Sequence, residues 1–367
     1  MKTVLLITHD TSISGAPKSV LLIFEKLVEK GFQITTVAIK GGGALEKRFE
    51  DISSKYYRLD KLSKDIEYSF KNRFKKKILG IPFSSEIESL KQKISSEKFD
   101  YIYCNTIVSL NFASCFFKNY NKKFIIHIHE LNTVIDEFCP NLNDFKNIID
   151  LFIVPSELNK NCLVENFSIS ENKIKVIREV SDIKKNKIKS NIDKNKINIL
   201  MCGGAYWRKG DDLFILIADA ILKKNKNFNF FWVGYQSEER KRVNNADLIK
   251  LGIKNNVHFI NETIDTYEWY NISDIFLLSS REDPFPLAAI DAGMLGIPIF
   301  CFEKATGISE VINKKCVVPY LNIDEMSLRI LELVDNINDY KIISEENKKI
   351  FGKFTPDRIS NEVLKNL

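Results

Sequence analysis

The chain has 367 residues, 44% of them hydrophobic and 28% charged, which is long enough for more than one core. That balance excludes a disordered or fibrous chain. The net charge of +6 is modest: it suits a phosphorylated substrate, an anionic membrane surface or nucleic acid, and selects none of them. Seven cysteines stand singly, with no CxxC pair and an odd total, which points to reduced, buried thiols in a cytoplasmic protein. The start, MKTVLLITHD, holds too short an apolar run for a signal peptide, and no window reaches the length of a transmembrane helix.

Val4–Thr8 is a continuous apolar run, the pattern of a buried parallel strand. The loop Asp10–Pro17 follows, then a helix predicted from Lys18 to Lys30, with Val20, Ile23, Phe24 and Leu27 at helical spacing. Gln33–Ile39 reads as the second strand, making a βαβ unit whose loop lies where open α/β sheets bind ligands. No GxGxxG is present there, and Gly41-Gly42-Gly43-Ala44 closes the second strand. Residues 60–98 read as helical. Phe70–Ile81 interleaves Lys71, Arg73, Lys75, Lys76 and Lys77 with Phe70, Phe74, Ile78 and Leu79, suited to an anionic membrane surface or to a solvated face.

Strand Tyr101–Cys104, a helix around Ser109–Phe117 and strand Lys123–His129 come next. Alternation puts His127 and His129 on one face, with Glu130 opposite. A two-histidine metal site lacks a third ligand at an obvious spacing, so packing or a hydrogen-bonded loop histidine is the plainer reading. Strand Leu151–Pro155, a helix capped by Ser156 and strand Lys173–Ile177 end this half. Asp182–Lys196 is polar and lysine-rich and reads as a linker.

The second half repeats the alternation. Strand Ile197–Met201 leads into Gly203-Gly204, Arg208-Lys209 and a helix from about Asp212 to Lys223. Strands Phe228–Val233, Val257–Ile260, Asp274–Leu278 and Pro298–Phe302 alternate with helices Glu238–Leu251, Thr266–Asn271 and one opening at Pro286. Pro286 suits a first helical position, and the amides of Leu287 and Ala288 would then face an anion. Asp283 and Asp291 bracket that turn. Helices near Asp324–Asn336, Asp339–Gly352 and Phe354–Leu367 complete the chain. The expected fold is α/β, two doubly wound Rossmann-like domains facing across a cleft. The expected divisions are 1–181, a linker at 182–196, a second domain at 197–352, and a last helix at 353–367 crossing back to the first.

Arg208 and Lys209 can place charge and amides around a phosphate, and two acids eight residues apart suit sugar hydroxyls; the same four side chains also suit a structural ion-pair cluster. The segments WRKGDDLF at 207–214, FWVG at 231–234 and SREDPFPL at 280–287 resemble nucleotide-sugar glycosyltransferases of the GT-B fold, in particular the retaining family 4 group. The resemblance runs from Ser14-Gly15-Ala16 to Gly307-Ile308-Ser309-Glu310 and is more specific in the second half. It implies that Gly15 and Ala16 approach the donor diphosphate and that His129 contacts the transferred sugar. Arg208 and Lys209 would neutralise the diphosphate and assist its departure. Asp283 and Asp291 match the acids of an E-x7-E motif, the first beside the sugar and the second on the ribose, with Phe285, Leu287 and Ala288 offering amides. Both motif glutamates are aspartates here, shorter by about 1.5 Å, and Glu282 stands beside Asp283 to share its task. Members usually carry an arginine before the lysine where this chain has Gly203-Gly204, a role open to Arg208.

The implied activity is a retaining, hexosyl-type transfer from a nucleotide sugar to a glycan or lipid-linked acceptor in cell-surface polysaccharide assembly. The implied place is the cytoplasm or the inner membrane face. No resident cofactor or metal is expected: no two aspartates are spaced D-x-D. A sugar-nucleotide epimerase or phosphorylase on the same fold, and a non-catalytic sugar-binding module, are the alternatives. Nucleic-acid binding is not expected, because the lysines are not interleaved with a recognisable module.

Overall fold

The computed structural model describes residues 1–62, 85–114, 122–183, 196–263 and 265–367. The basic segment 70–81 and most of the expected linker lie outside these residues. The chain divides into two compact units. Met1–Val154, Lys160–Ile177 and Ser360–Leu367 form the first; Pro155–Asn159 and Arg178–Ile359 form the second. Residues 155–159 and 178–181, expected in the first domain, group with the second. There the Glu310 carboxylate accepts from the amides of Glu157 (3.1 Å) and Leu158 (2.8 Å) and pairs with Arg178 (2.8 Å).

The first unit holds seven strands: β1 (Thr3–Thr8), β2 (Gln33–Ala38), β3 (Ser53–Arg58), β4 (Tyr101–Asn105), β5 (Lys123–His127), β6 (Leu151–Val154) and β7 (Ile174–Val176). They form one parallel sheet in the order β3-β2-β1-β4-β5-β6-β7. The order reverses between β1 and β4, and the carboxyl ends of strands at such a switch point are where doubly wound sheets bind ligands. β1 is an unbroken apolar run because both faces of its sheet are covered; Val4, Leu5, Leu6 and Ile7 are fully buried. The terminal residues belong here too, where Lys30 Nζ donates to Ser360 Oγ (2.9 Å) and Asn361 Oδ1 (2.7 Å).

Two of the boundaries that differ from expectation in this unit bear on candidate site residues. The first helix spans Gly15–Glu29 rather than starting at Lys18, with Ser14 as its cap residue and Lys18 N–H donating to Ser14 O at 3.1 Å. Pro17 sits in the first turn, where no N–H is required. Strand β5 stops at His127, so His129 stands in the loop beyond it.

The second unit holds β8 (Ile197–Cys202), β9 (Phe228–Val233), β10 (Val257–Ile260), β11 (Ile275–Leu278), β12 (Ile299–Phe302) and β13 (Val317–Val318). The parallel order is β10-β9-β8-β11-β12-β13, with the reversal between β8 and β11. Helix Asp211–Lys224 buries Phe214, Ile217, Ala218 and Ile221, the face expected from their spacing. Phe214 meets Trp232 edge-on at 5.3 Å and Phe230 at 5.9 Å. Such pairs each add about 1 kcal/mol beyond area burial. That packing fixes the amino end of the helix, and with it the preceding loop. The six described cysteines are all buried.

Candidate active site

Two loops meet at the switch point of the second sheet. The first leaves β8 at Gly203 and makes a 3-10 turn over Trp207–Lys209. Gly210, at φ +70°, then turns it into helix Asp211–Lys224. The second leaves β11 at Ser279 and enters helix Leu287–Leu295. The backbones are joined: the amides of Arg281 (2.8 Å) and Glu282 (3.2 Å) both donate to Arg208 O, and Ser279 Oγ donates to Lys209 O at 3.3 Å. Arg208 Nη1 donates to Glu282 O at 2.9 Å. A third loop, after β12, holds the segment from the other side. Asp283 N–H donates to Ala305 O and Gly307 N–H to Pro284 O, both at 2.8 Å.

This framework brings Arg208, Lys209 and Asp283 together. Lys209 Nζ lies 2.5 Å from Asp283 Oδ2, Arg208 Nη1 lies 3.9 Å from Asp283 Oδ1, and Ser280 Oγ donates to the same carboxylate at 3.2 Å. The Asp283 side chain is 6% exposed and that of Lys209 13%, so the pair is largely removed from water and screened little by salt. Two cations against one buried carboxylate leave the cluster with a positive excess, the electrostatic requirement for holding a polyanion.

Arg281, adjacent in sequence, is used differently. Its guanidinium grips Asp212 bidentately (2.8 and 2.7 Å), donates to Trp207 O (2.9 Å) and lies over the Trp207 ring, 5.3 Å from its centroid. Burial works against the Asp212 carboxylate, but the Arg281 bond and charge outweigh it and hold the acid below its usual range. Sequence reasoning passed over this clamp. Its only signal was an Asp-Asp at the start of one helix and an Arg two residues before Asp283.

Helix Leu287–Leu295 begins one residue later than expected. Pro286 has φ −65° and ψ 131°, and its carbonyl accepts from Ala289 (3.1 Å) and Ile290 (3.3 Å), so it is the cap residue rather than the first helical one. Leu287 and Ala288 are therefore the first two helical residues, whose amides have no acceptor within the helix. Phe285 is 3% exposed. Its ring packs edge-on against Phe354 (5.7 Å) under the Arg178 guanidinium (5.1 Å), so only its backbone is placed to meet a ligand. Asp291 is in the second helical turn, 8% exposed, and accepts from Ser181 Oγ. Ser181 is 110 positions away, and no sequence pattern announced it. Below it Cys202 is pushed up to about 12 by burial, with a Tyr270 bond opposing and the Asp291 charge adding, so this thiol stays protonated.

In the first unit Gly15 and Ala16 are the first two residues of a helix rather than part of a loop. The preceding turn is built by Asp10, whose Oδ1 accepts from the Ser12 amide and Ser12 Oγ, both at 3.0 Å. His127 is fully buried and its Nδ1 lies 2.9 Å from Tyr103 Oη, while its ring is 4.0 Å from that of His129. His129 Nε2 lies 2.8 Å from Asn105 Oδ1. Glu130 Oε2 accepts from the amides of His129 (2.8 Å) and Ile107 (3.3 Å).

Burial raises the Glu130 carboxyl above its ordinary 4.5, with His129 and His9 opposing. A folded-state value above the unfolded one means that the native state binds the extra proton. Stability from this group is full below about 4.5 and is lost as pH rises through the raised value. Glu130→Gln is expected to gain stability relative to wild type between pH 4 and pH 7 in urea denaturation. A difference that does not change with pH would refute this.

Comparison with known proteins adds the family context. Residues 182–350 match the family model described as glycosyl transferases group 1. Over 359 residues the chain is 23% identical to an uncharacterized glycosyltransferase of Haemophilus influenzae, covering 96% of this chain and 95% of that protein. Among solved structures it is similar to Anabaena HepE in complex with UDP and glucose, at a TM-score of 0.80 and 15% identity, covering 100% of this chain and 99% of that one. It is also similar to sucrose-phosphate synthase from Thermosynechococcus elongatus, at a TM-score of 0.78 and 14% identity, covering 100% and 98%. The protein has the GT-B fold, and residues 182–350 carry the glycosyl transferases group 1 region.

Proposed function

We propose that the protein is a retaining, metal-independent glycosyltransferase moving a hexosyl group from a nucleoside-diphosphate sugar to a glycan or lipid-linked acceptor in cell-surface polysaccharide biosynthesis. The observation that carries this reading is the Arg208-Lys209 pair, bonded into the turn that leads to the amides of Leu287 and Ala288. A departing diphosphate needs positive charge set in place before the bond breaks, and fixed donors at a strand-to-helix edge supply it without reorganisation.

Each residue then has a task. Arg208 and Lys209 neutralise the leaving diphosphate, and the amides of Phe285, Leu287 and Ala288 bind its oxygens and the sugar. Asp291 accepts from the ribose hydroxyls. Asp283, with Glu282 beside it, orients Lys209 and faces the sugar. In the first unit, Gly15 and Ala16 at a helix amino end approach the diphosphate, and His129 contacts the transferred sugar. The departing phosphate oxygen takes the acceptor proton on the same face, so no enzyme nucleophile is required. UDP and glucose bound to HepE support a UDP-hexose as the first donor to try. The basic segment 70–81 supports a peripheral place on the cytoplasmic membrane face, and no helix among the described residues is long and apolar enough to cross a membrane.

The test is to incubate the protein with a panel of nucleotide sugars and acceptors in chelator, following nucleotide release and the anomeric configuration of the product by NMR. Release with retained configuration is expected. Conversion of the donor to an isomeric nucleotide sugar without acceptor would make the protein an epimerase. Tight donor binding with no turnover on any acceptor would make it a binding module.

A further inference from the structure

We infer that Asn105 is a positioning residue of the first unit, tying His129 to the start of the Gly15–Glu29 helix and fixing the imidazole proton on Nε2. This rests on the glycosyltransferase reading for its kinetic consequence, but not for its chemistry. Asn105 is fully buried at the carboxyl end of β4. In the sheet register it lies between Thr8 of β1 and His127 of β5, at the switch point. Its amide nitrogen donates to Ala16 O at 3.3 Å and reaches Thr8 Oγ1 at 3.5 Å. Its Oδ1 lies 2.8 Å from His129 Nε2.

The orientation of the amide follows from what its neighbours can do. The Ala16 carbonyl only accepts, so the NH2 end must face it and the oxygen end must face the histidine. An amide oxygen only accepts, so His129 Nε2 must carry the hydrogen, and in the neutral ring Nδ1 then carries the lone pair. The backbone around Asn105 is equally determined. Its carbonyl accepts from Ser109 Oγ, and Thr106 N–H donates to His127 O at 2.9 Å. Thr106 itself is held at φ +73°, a conformation that costs a non-glycine residue energy and persists only where the surroundings impose it. One buried side chain thus links the two first-unit features, the Gly15-Ala16 helix start and His129, to which the proposed chemistry assigns roles.

The experiment uses the full chain labelled with 15N-histidine. There are four histidines, and His129→Gln assigns the resonance. A one-bond N–H cross-peak at His129 Nε2, protected from exchange, is expected in wild type. Asn105→Asp keeps an acceptor for that proton but loses the donor to Ala16 O, so the peak remains. Asn105→Ala removes both and the peak disappears. Transfer by Asn105→Ala is expected to fall about 100-fold in kcat with little change in donor KM, the cost of misplacing a contact group by about 1 Å. Protonation of wild-type His129 on Nδ1, or a peak that persists in Asn105→Ala, overturns the inference, as does an unchanged kcat. If Asn105→Ala fails to fold, the wild-type and Asn105→Asp spectra decide. If no nucleotide sugar is turned over, the glycosyltransferase reading fails while the spectra still decide the positioning.

Discussion

Lys209→Met is expected to destabilise the protein by about 3–5 kcal/mol, because it leaves the Asp283 carboxylate buried without its ion-pair partner. Among the described residues, Ser280 Oγ, at 3.2 Å, and Arg208, at 3.9 Å, remain to compensate. The double variant Lys209→Met/Asp283→Asn removes both charges and keeps the shape of the acid, so most of that loss should be recovered in urea denaturation. Turnover should behave differently. Removing a preorganised donor to a developing anion typically costs about 10²–10³ in kcat, and the double variant cannot restore it. Recovery of both stability and turnover would make Lys209 a structural partner only. Wild-type stability in Lys209→Met would mean that the pair carries little energy in the folded state.

Gly210→Ala tests the loop that presents this lysine. Gly210 has φ +70°, and a Cβ there would stand 2.2 Å from Ser279 O, a backbone atom of the facing loop. Gly252 supplies the control, with φ +69° and nothing within 4 Å of its would-be Cβ. Gly252→Ala should cost about 1–2 kcal/mol, the penalty for a left-handed alanine alone. Gly210→Ala should cost about 4 kcal/mol or more, the range reserved for steric conflict with fixed backbone, and should depress turnover by shifting Arg208 and Lys209. Equal losses in the two variants would mean that the loops separate freely, and the joined framework would no longer explain how the cationic pair is held.

The elements most legible in the sequence are those buried on both faces. β9 agrees with its predicted span, and β8 exceeds its own by a single residue, because a covered parallel strand must be an unbroken apolar run. Helix Glu238–Leu251 agrees at both ends: Ser237 caps it through a bond from Arg240 N–H, and Gly252 ends it in the left-handed region. Of the four edge strands, β7 and β10 were legible and β3 and β13 were not. β3, Ser-Ser-Lys-Tyr-Tyr-Arg, is half exposed at one end of its sheet and lacks an apolar run. β13 has only two residues at the end of the other. The helix start at Gly15 was misplaced because Pro17 reads as a loop residue, although a first turn tolerates it.

By itself the sequence determined the class of the fold. Alternating buried strands and amphipathic helices admit two doubly wound sheets and little else, and glycines, Arg-Lys and two acids marked the strand ends where chemistry belongs. Tertiary structure decided which of those residues meet. Lys209 and Asp283 are 74 positions apart, Ser181 and Asp291 are 110 apart, and Asn105 stands 24 from His129. Contacts at such separations follow from strand order and register, since β8 lies beside β11 and β4 beside β5. Local pattern carries burial and periodicity, which depend on near neighbours; it does not encode which strand becomes the neighbour. The pairing of charges at the site is therefore a property of the sheet order.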